Sequence, residues 1–141
     1  MKINEIFYSL QGEGFWTGTP AVFVRLSGCN LHCSFCDTLH ESGQFMSEDQ
    51  IAQTVAQWPA RHVVITGGEP SLFLTPTLVE RLHAAGKFVA VETNGTHPLP
   101  DNVDWITLSP KDAFELHATP VLTRCDELKV VCDGTPPPTY P

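Results

Sequence analysis

The sequence predicts an α/β fold of parallel β/α units, in a chain too short for a complete eightfold barrel. Three observations carry that expectation. Short, apolar, β-branched runs alternate with amphipathic helical stretches, the pattern of parallel β/α units. Each conspicuous polar motif stands just after a predicted strand, where α/β sheets carry their functional groups. The 141 residues suffice for one domain with a core but fall short of the roughly 250 of a closed eightfold barrel.

Taken in order, Val22-Phe23-Val24-Arg25-Leu26 reads as a buried strand that runs straight into a cysteine loop. Ser47 opens a helix as the N-terminal member of a capping box with Gln50, and Ile51, Val55 and Trp58 follow on one face until Pro59 stops it. His62-Val63-Val64-Ile65-Thr66 is the second strand and ends in Gly67-Gly68-Glu69-Pro70. A second helix has Pro76 in its first turn, Leu78, Val79 and Leu82 as its apolar face, and Gly86 as its stop. Phe88–Thr93, Trp105–Leu108 and Leu128–Val131 complete a count of five strands. Cys29, Gly67, Asn94 and Ser109 each follow one of the first four. After Gly134 the chain turns to Thr-Pro-Pro-Pro-Thr-Tyr-Pro, which cannot continue a sheet. The expected organisation is therefore a core domain over 1–134 and a separate proline-rich stretch over 135–141.

Composition excludes several function classes. Sixteen acidic against eight basic residues give a net charge of −8, which argues against a nucleic-acid footprint of clustered Lys and Arg. No apolar run approaches the length of a membrane span. Met1–Glu5 has no basic region leading into an apolar run, so no secretory signal is read and a cytoplasmic location is expected. Five cysteines are too few for a disulfide scaffold and odd in number. The clustering of Cys29, Cys33 and Cys36 points to a metal site in a reducing compartment, whereas Cys125 and Cys132 read as core or surface thiols.

Three soft thiolates on one loop suit either zinc or an iron–sulfur cluster. Zinc needs a fourth ligand, and His40, four residues after Cys36, makes a Cys3His site possible, although no second cysteine hairpin exists. A four-iron cluster held by three thiolates instead leaves one iron free to bind a small molecule. Gly67 and Gly68 would let backbone come close to such a ligand. Glu69 offers such a ligand either its carboxylate or its peptide; alone, the four-residue motif also fits a plain tight turn.

The spacing CxxxCxxC with Phe35 before the last cysteine, followed by Gly67-Gly68-Glu69-Pro70, resembles the radical S-adenosylmethionine (SAM) superfamily. Leu10-Gln11-Gly12-Glu13-Gly14, Cys36-Asp37-Thr38, Val91–Thr96 and Ser109-Pro110-Lys111 narrow the resemblance to the 7-carboxy-7-deazaguanine synthase family of queuosine and 7-deazapurine biosynthesis. That resemblance implies a carbon–nitrogen lyase that converts 6-carboxy-5,6,7,8-tetrahydropterin to 7-carboxy-7-deazaguanine with loss of ammonia, through a 5′-deoxyadenosyl radical. It implies a [4Fe–4S] cluster on Cys29, Cys33 and Cys36, and SAM against Phe35, Asp37, Gly68, Ser109, Pro110 and Lys111. It also implies a magnesium ion on Thr38, whose hydroxyl suits a hard cation but also fits a loop hydroxyl bonding its own backbone. Leu10, Gln11, Gly12, Arg25 and Thr66 are the implied substrate contacts. Arg25 is the lone cation of an apolar strand and needs an anion, either the substrate carboxylate or an ion-pair partner such as Glu5 or Glu13. None of the six histidines (His32, His40, His62, His83, His97 and His117) matches a catalytic motif, and no general base is assigned.

The resemblance further implies a flavodoxin-like electron donor, a homodimer, and no nucleic-acid or membrane partner. Two other readings remain at this stage, an activase of glycyl-radical enzymes and a zinc-stabilised binding module. Members of the family continue with one more strand and a C-terminal segment that helps close the site. The resemblance thus sharpens the expected fold to a shortened, open (partial) β/α barrel of radical SAM type, and a chain ending in a proline-rich stretch reads as lacking that last strand and segment.

Overall fold

In the computed structural model, the residues described are 1–28, 43–112 and 118–130. In chain order they form β1 (Lys2–Leu10), β2 (Pro20–Leu26), β3 (Gln44–Phe45), α1 (Glu48–Ala56), β4 (His62–Gly67), α2 (Pro76–Ala84), β5 (Phe88–Thr93), β6 (Trp105–Leu108) and β7 (Glu127–Leu128), with a 3-10 turn at Pro70–Leu72. The strands make one open sheet in the order β3-β1-β2-β4-β5-β6-β7. From β2 to β7 every pairing is parallel, which aligns all five carboxyl ends along one edge. β1 pairs antiparallel with β2, and β3 with β1.

Both helices form where local chemistry asks for them. Ser47 and Gln50 close the capping box reciprocally: the Gln50 N–H donates to Ser47 Oγ at 3.1 Å and the Ser47 N–H to Gln50 Oε1 at 2.8 Å. Thr75 caps α2 through the Leu78 N–H at 3.1 Å, and Pro76 occupies its first turn. Gly86, at φ +79°, ends it in the left-handed conformation that glycine takes without cost. The two helices cover one face of the sheet. Ile51, Val55, Leu78, Val79 and Leu82 bury there against Val22, Val24, Leu26, Val63, Ile65, Val89, Val91 and Ile106. Full burial of each such side chain stabilises by about 1.5–3 kcal/mol, so this layer fixes the sheet and frees the opposite, inner face for other work.

The five strands read from the sequence are the five parallel ones, and β1 and β3 are additional. A β-bulge explains why β1 escapes detection. Ile3 pairs with Leu26 and Glu5 with Arg25, so the register slips by one between them. Ile3 and Ile6 consequently both pack on the helix-side core although three residues apart, and the alternation that marks a strand is broken. β3 is two residues long and carries no periodicity at all. The last strand also begins one residue earlier than expected and ends at Leu128; Val131 and the 135–141 stretch lie outside the described residues. Trp58 falls beyond α1 yet still packs on the core it was expected to join.

Candidate active site

The inner face consists of three rows of side chains set by strand register. Ser9, Ala21, His62 and Phe88 form the row nearest the amino ends of the parallel strands. Phe7, Phe23, Val64, Ala90 and Trp105 form the middle row; the Phe7 and Phe23 rings stack at 5.1 Å. Trp16, from the loop after β1, lies over His62, Phe88 and Trp105 with centroids 5.0–5.4 Å away. Burial, helped by the neighbouring Arg61 charge, pushes the His62 pKa below its usual value. The imidazole is therefore a neutral ring within an aromatic floor.

The third row is polar. Glu5 pairs with Arg25, Arg25 with Thr66, Glu92 with Thr107 and Thr107 with Glu127, and the Thr66 hydroxyl donates to Glu92 Oε2 at 2.9 Å to join the two halves. Arg25 Nε lies 3.1 Å from Glu5 Oε1, and the Thr107 hydroxyl donates to Glu127 Oε1 at 3.0 Å. One step further on, Lys129 pairs with Glu13 and lies 3.8 Å from Glu92 Oε1. Burial works against the Lys129 charge, but the hydrogen bond to Glu13 and the charges of Glu92, Glu13 and Glu127 outweigh it and raise the pKa. This belt of alternating charges and hydroxyls, above an apolar floor, is suited to a flat heterocycle with a polar edge.

Every belt member on the parallel strands occupies the next-to-last position of its strand: Arg25, Thr66, Glu92, Thr107 and Glu127. Arg25 and Thr66 were expected at the site. Glu92, Thr107, Glu127 and Lys129 were not; for Glu92 and Thr107 a polar residue one place before the end of the strand is a signal the sequence carries, whereas Glu127 lies before the last strand as read from the sequence.

Above the belt, the loops after β2, β4, β5 and β6 meet. The Gly68 N–H donates to the Leu26 carbonyl at 2.8 Å and the Glu69 N–H to the Gly28 carbonyl at 2.9 Å. The turn after β4 thus lies directly on the peptide that leads into Cys29. A Cβ on Gly68 would collide with the Gly28 carbonyl oxygen, and one on Gly67, at φ +108°, with Leu26 backbone. The room these glycines provide is taken by the chain itself, a reason for them beyond close approach to a ligand. The Glu69 side chain, 1% exposed, accepts from the Ser71 N–H at 2.9 Å, the Ser71 and Thr93 hydroxyls and the Asn94 N–H at 2.7 Å. Of the two ways Glu69 could meet a ligand ammonium, the carboxylate is committed within the protein and peptide groups remain.

After β6, the Ser109 N–H donates to the Thr93 carbonyl at 2.7 Å, and Lys111 Nζ donates to the Ser109 carbonyl and hydroxyl at 2.8 and 2.7 Å. Pro110 between them is buried. Leu10 closes β1, 61% exposed, and Gln11 starts a loop shut by the Gln11 N–H to Thr19 carbonyl and Gly18 N–H to Gln11 carbonyl bonds, 2.9 and 2.7 Å. Gly12 has open space where a Cβ would stand, so packing does not demand glycine there. Cys29, Cys33, Phe35, Cys36, Asp37, Thr38 and His40 lie outside the described residues, as does Cys132; Cys125 is exposed. Among the described residues no group of three or more metal-ligating side chains occurs, and no helix is long and apolar enough to cross a membrane.

Residues 23–122 match the Radical SAM superfamily. The chain is 60% identical over 133 residues to a 7-carboxy-7-deazaguanine synthase of Bacteroides thetaiotaomicron, covering 94% of this chain and 71% of that protein. The chain belongs to the 7-carboxy-7-deazaguanine synthase family. A synthase of the same name from Burkholderia multivorans is 46% identical over 151 residues, covering 92% of this chain and 70% of that protein. The crystal structure of QueE from Escherichia coli superposes with a TM-score of 0.78 at 34% identity, over 92% of this chain and 69% of that chain.

The synthase family is one of radical SAM enzymes, and membership implies a [4Fe–4S] cluster and SAM. The partial, open β/α barrel read from the sequence is the fold found here.

Proposed function

We propose that the chain converts 6-carboxy-5,6,7,8-tetrahydropterin to 7-carboxy-7-deazaguanine with release of ammonia, as a carbon–nitrogen lyase of 7-deazapurine and queuosine biosynthesis. The observation that carries this reading is the polar belt over an apolar floor in a chain 60% identical to a protein of that name. The donor set fits the cofactors: Cys29, Cys33 and Cys36 supply three soft thiolates for the cluster, and peptide groups around Gly68, where the Glu69 carboxylate is already committed, suit the amino acid end of SAM. Phe35, Asp37, Ser109, Pro110 and Lys111 complete the SAM contacts, and Thr38 offers magnesium its hydroxyl. When bound, the cluster and SAM supply hydrogen-atom abstraction at C6 of the pterin.

The chain's own residues bind and orient the substrate. Arg25 exchanges part of its pairing with the half-exposed Glu5 for the substrate carboxylate. The Gln11 amide, both donor and acceptor, meets the mixed edge of the pterin, with Leu10 and Gly12 supplying backbone and space beside it. Thr66 holds Glu92 in register with the ring. A flavodoxin-like protein as electron donor, a homodimeric assembly and a cytoplasmic location complete the reading.

Anaerobic purification with iron and sulfide analysis, followed by incubation with the pterin, SAM, magnesium and a reductant, tests it. A brown protein holding about four irons and forming the deazapurine is expected. Cys33→Ala should lose the cluster and the product together; a Cys33→Ala protein that retains both would sink the assignment, and a chain holding one zinc would overturn the function. Arg25→Ala is expected to raise the KM for the pterin roughly 10- to 100-fold, the worth of one charge-assisted hydrogen bond. Reductive cleavage of SAM should continue in that variant, and an unchanged KM would refute the carboxylate role.

A further inference from the structure

The loop over residues 11–18 carries Gln11 and Gly12, yet its own two strand-like closures do not say how it is held over the belt. Trp16 packs on His62 and Phe88 in the middle of the sheet, and the remaining contacts come from β6, β7 and the residue just after β7. Glu127 Oε2 accepts the Phe15 N–H at 2.6 Å while Oε1 accepts the Thr107 hydroxyl. Lys129 pairs with Glu13 on the same loop. The Phe15 ring stacks on Trp105 at 5.3 Å, and Trp16 meets the edge of the same indole at 5.3 Å. Gly14 is moulded to this grip: at φ +73° its missing Cβ would stand 2.6 Å from Glu127 Oε1 and 2.7 Å from its carboxyl carbon. Any side chain at position 14 would push the carboxylate away from the Phe15 amide and strain the backbone as well.

We infer that Glu127 and Lys129 form a two-pronged clasp that positions the 11–18 loop over the belt, each acting through the loop. The inference rests on the proposed substrate role of Leu10, Gln11 and Gly12 only for its kinetic consequence; the clasp itself stands on the contacts above. Glu127 fixes the backbone of the loop through one amide, and Lys129 fixes its height through Glu13. The same Lys129 lies between Glu13 and Glu92, so the loop and the belt share one ammonium group. Thr107 holds the second oxygen of Glu127 and stops the carboxylate from rotating away.

Hydrogen exchange and pterin kinetics on the full-length reconstituted enzyme distinguish the possibilities. Glu127→Ala is expected to speed exchange of the Phe15 amide at least 100-fold and to raise acrylamide quenching of Trp16, with exchange in β4 and β5 unaltered. General destabilisation would instead accelerate exchange throughout the sheet, and that outcome overturns the clasp. Glu127→Gln, which keeps an acceptor oxygen, should restore most of the protection. Lys129→Ala supplies an independent test should Glu127→Ala not fold, with looser exchange expected across residues 13–16. In both loosened variants the pterin KM should rise about tenfold with kcat within about threefold. Unchanged protection at Phe15 overturns the clasp, whereas loosened protection with an unchanged pterin KM supports the clasp and overturns the substrate role of the loop.

Discussion

Glu69→Ala is expected to lower the thermal midpoint by roughly 10 °C, the equivalent of about 3 kcal/mol in a domain of this size. Its carboxylate is buried and accepts four hydrogen bonds, two from the Pro70–Leu72 turn and two from the end of β5. Removing it leaves the buried Asn94 amide and Thr93 hydroxyl, and the half-buried Ser71 amide, without that acceptor, and an unmet buried donor costs more than a made bond contributes. Glu69→Gln should recover part of the loss, because its oxygen can take the place of Oε2, which accepts three of the four bonds, while its NH2 group faces the Asn94 N–H. The Thr93 hydroxyl also accepts from the Gly95 N–H at 3.1 Å, so the disturbance passes into the loop after β5. Calorimetry or circular dichroism on the anaerobic protein measures the midpoint. A value for Glu69→Ala within about 2 °C of wild type would show that the network stabilises nothing.

Gly68→Ala is expected to act on the cofactor end of the site. Gly68 needs absence of bulk: an added methyl group would meet the Gly28 carbonyl, a backbone atom that cannot rotate aside. The turn after β4 would have to lift from β2, breaking the 2.8 and 2.9 Å bonds to Leu26 and Gly28. Forced overpacking of this kind costs about 1–3 kcal/mol. Because Gly28 leads straight into Cys29, the displacement reaches the cysteine loop. We expect iron content after reconstitution to fall and SAM affinity to drop about tenfold, the equivalent of about 1.4 kcal/mol. Iron analysis and equilibrium binding of SAM measure the two effects, and wild-type values for both would mean that the contact with Gly28 does not support the cofactor site.

What the sequence makes legible follows from the range of the signal. Helix ends are local, and Ser47, Gln50, Pro76 and Gly86 all lie within a few residues of the structure they specify. The parallel strands are legible because a strand covered on both faces reads as a continuous apolar run. β1 is lost for an equally local reason, a single bulged residue that puts Ile3 and Ile6 on the same side. The belt is different in kind. Glu92 and Thr107 are each one polar residue in an apolar strand, and only strand register places them beside Thr66 and Glu127. The cysteine trio and the Gly67–Pro70 turn, by contrast, are read directly because their chemistry is written in contiguous residues. The grip of Glu127 on Phe15 spans 112 positions, beyond any spacing rule.

That separation also sets an order in time. A ribosome adding about 5–20 residues per second exposes Phe15 many seconds before Glu127 exists. Throughout that interval the first loop made has only its own closures and those of nearby strands to rest on. The hydrogen bond to Glu127 therefore waits on a residue made 112 positions later, so a part of the site translated early is completed only after most of the sheet exists.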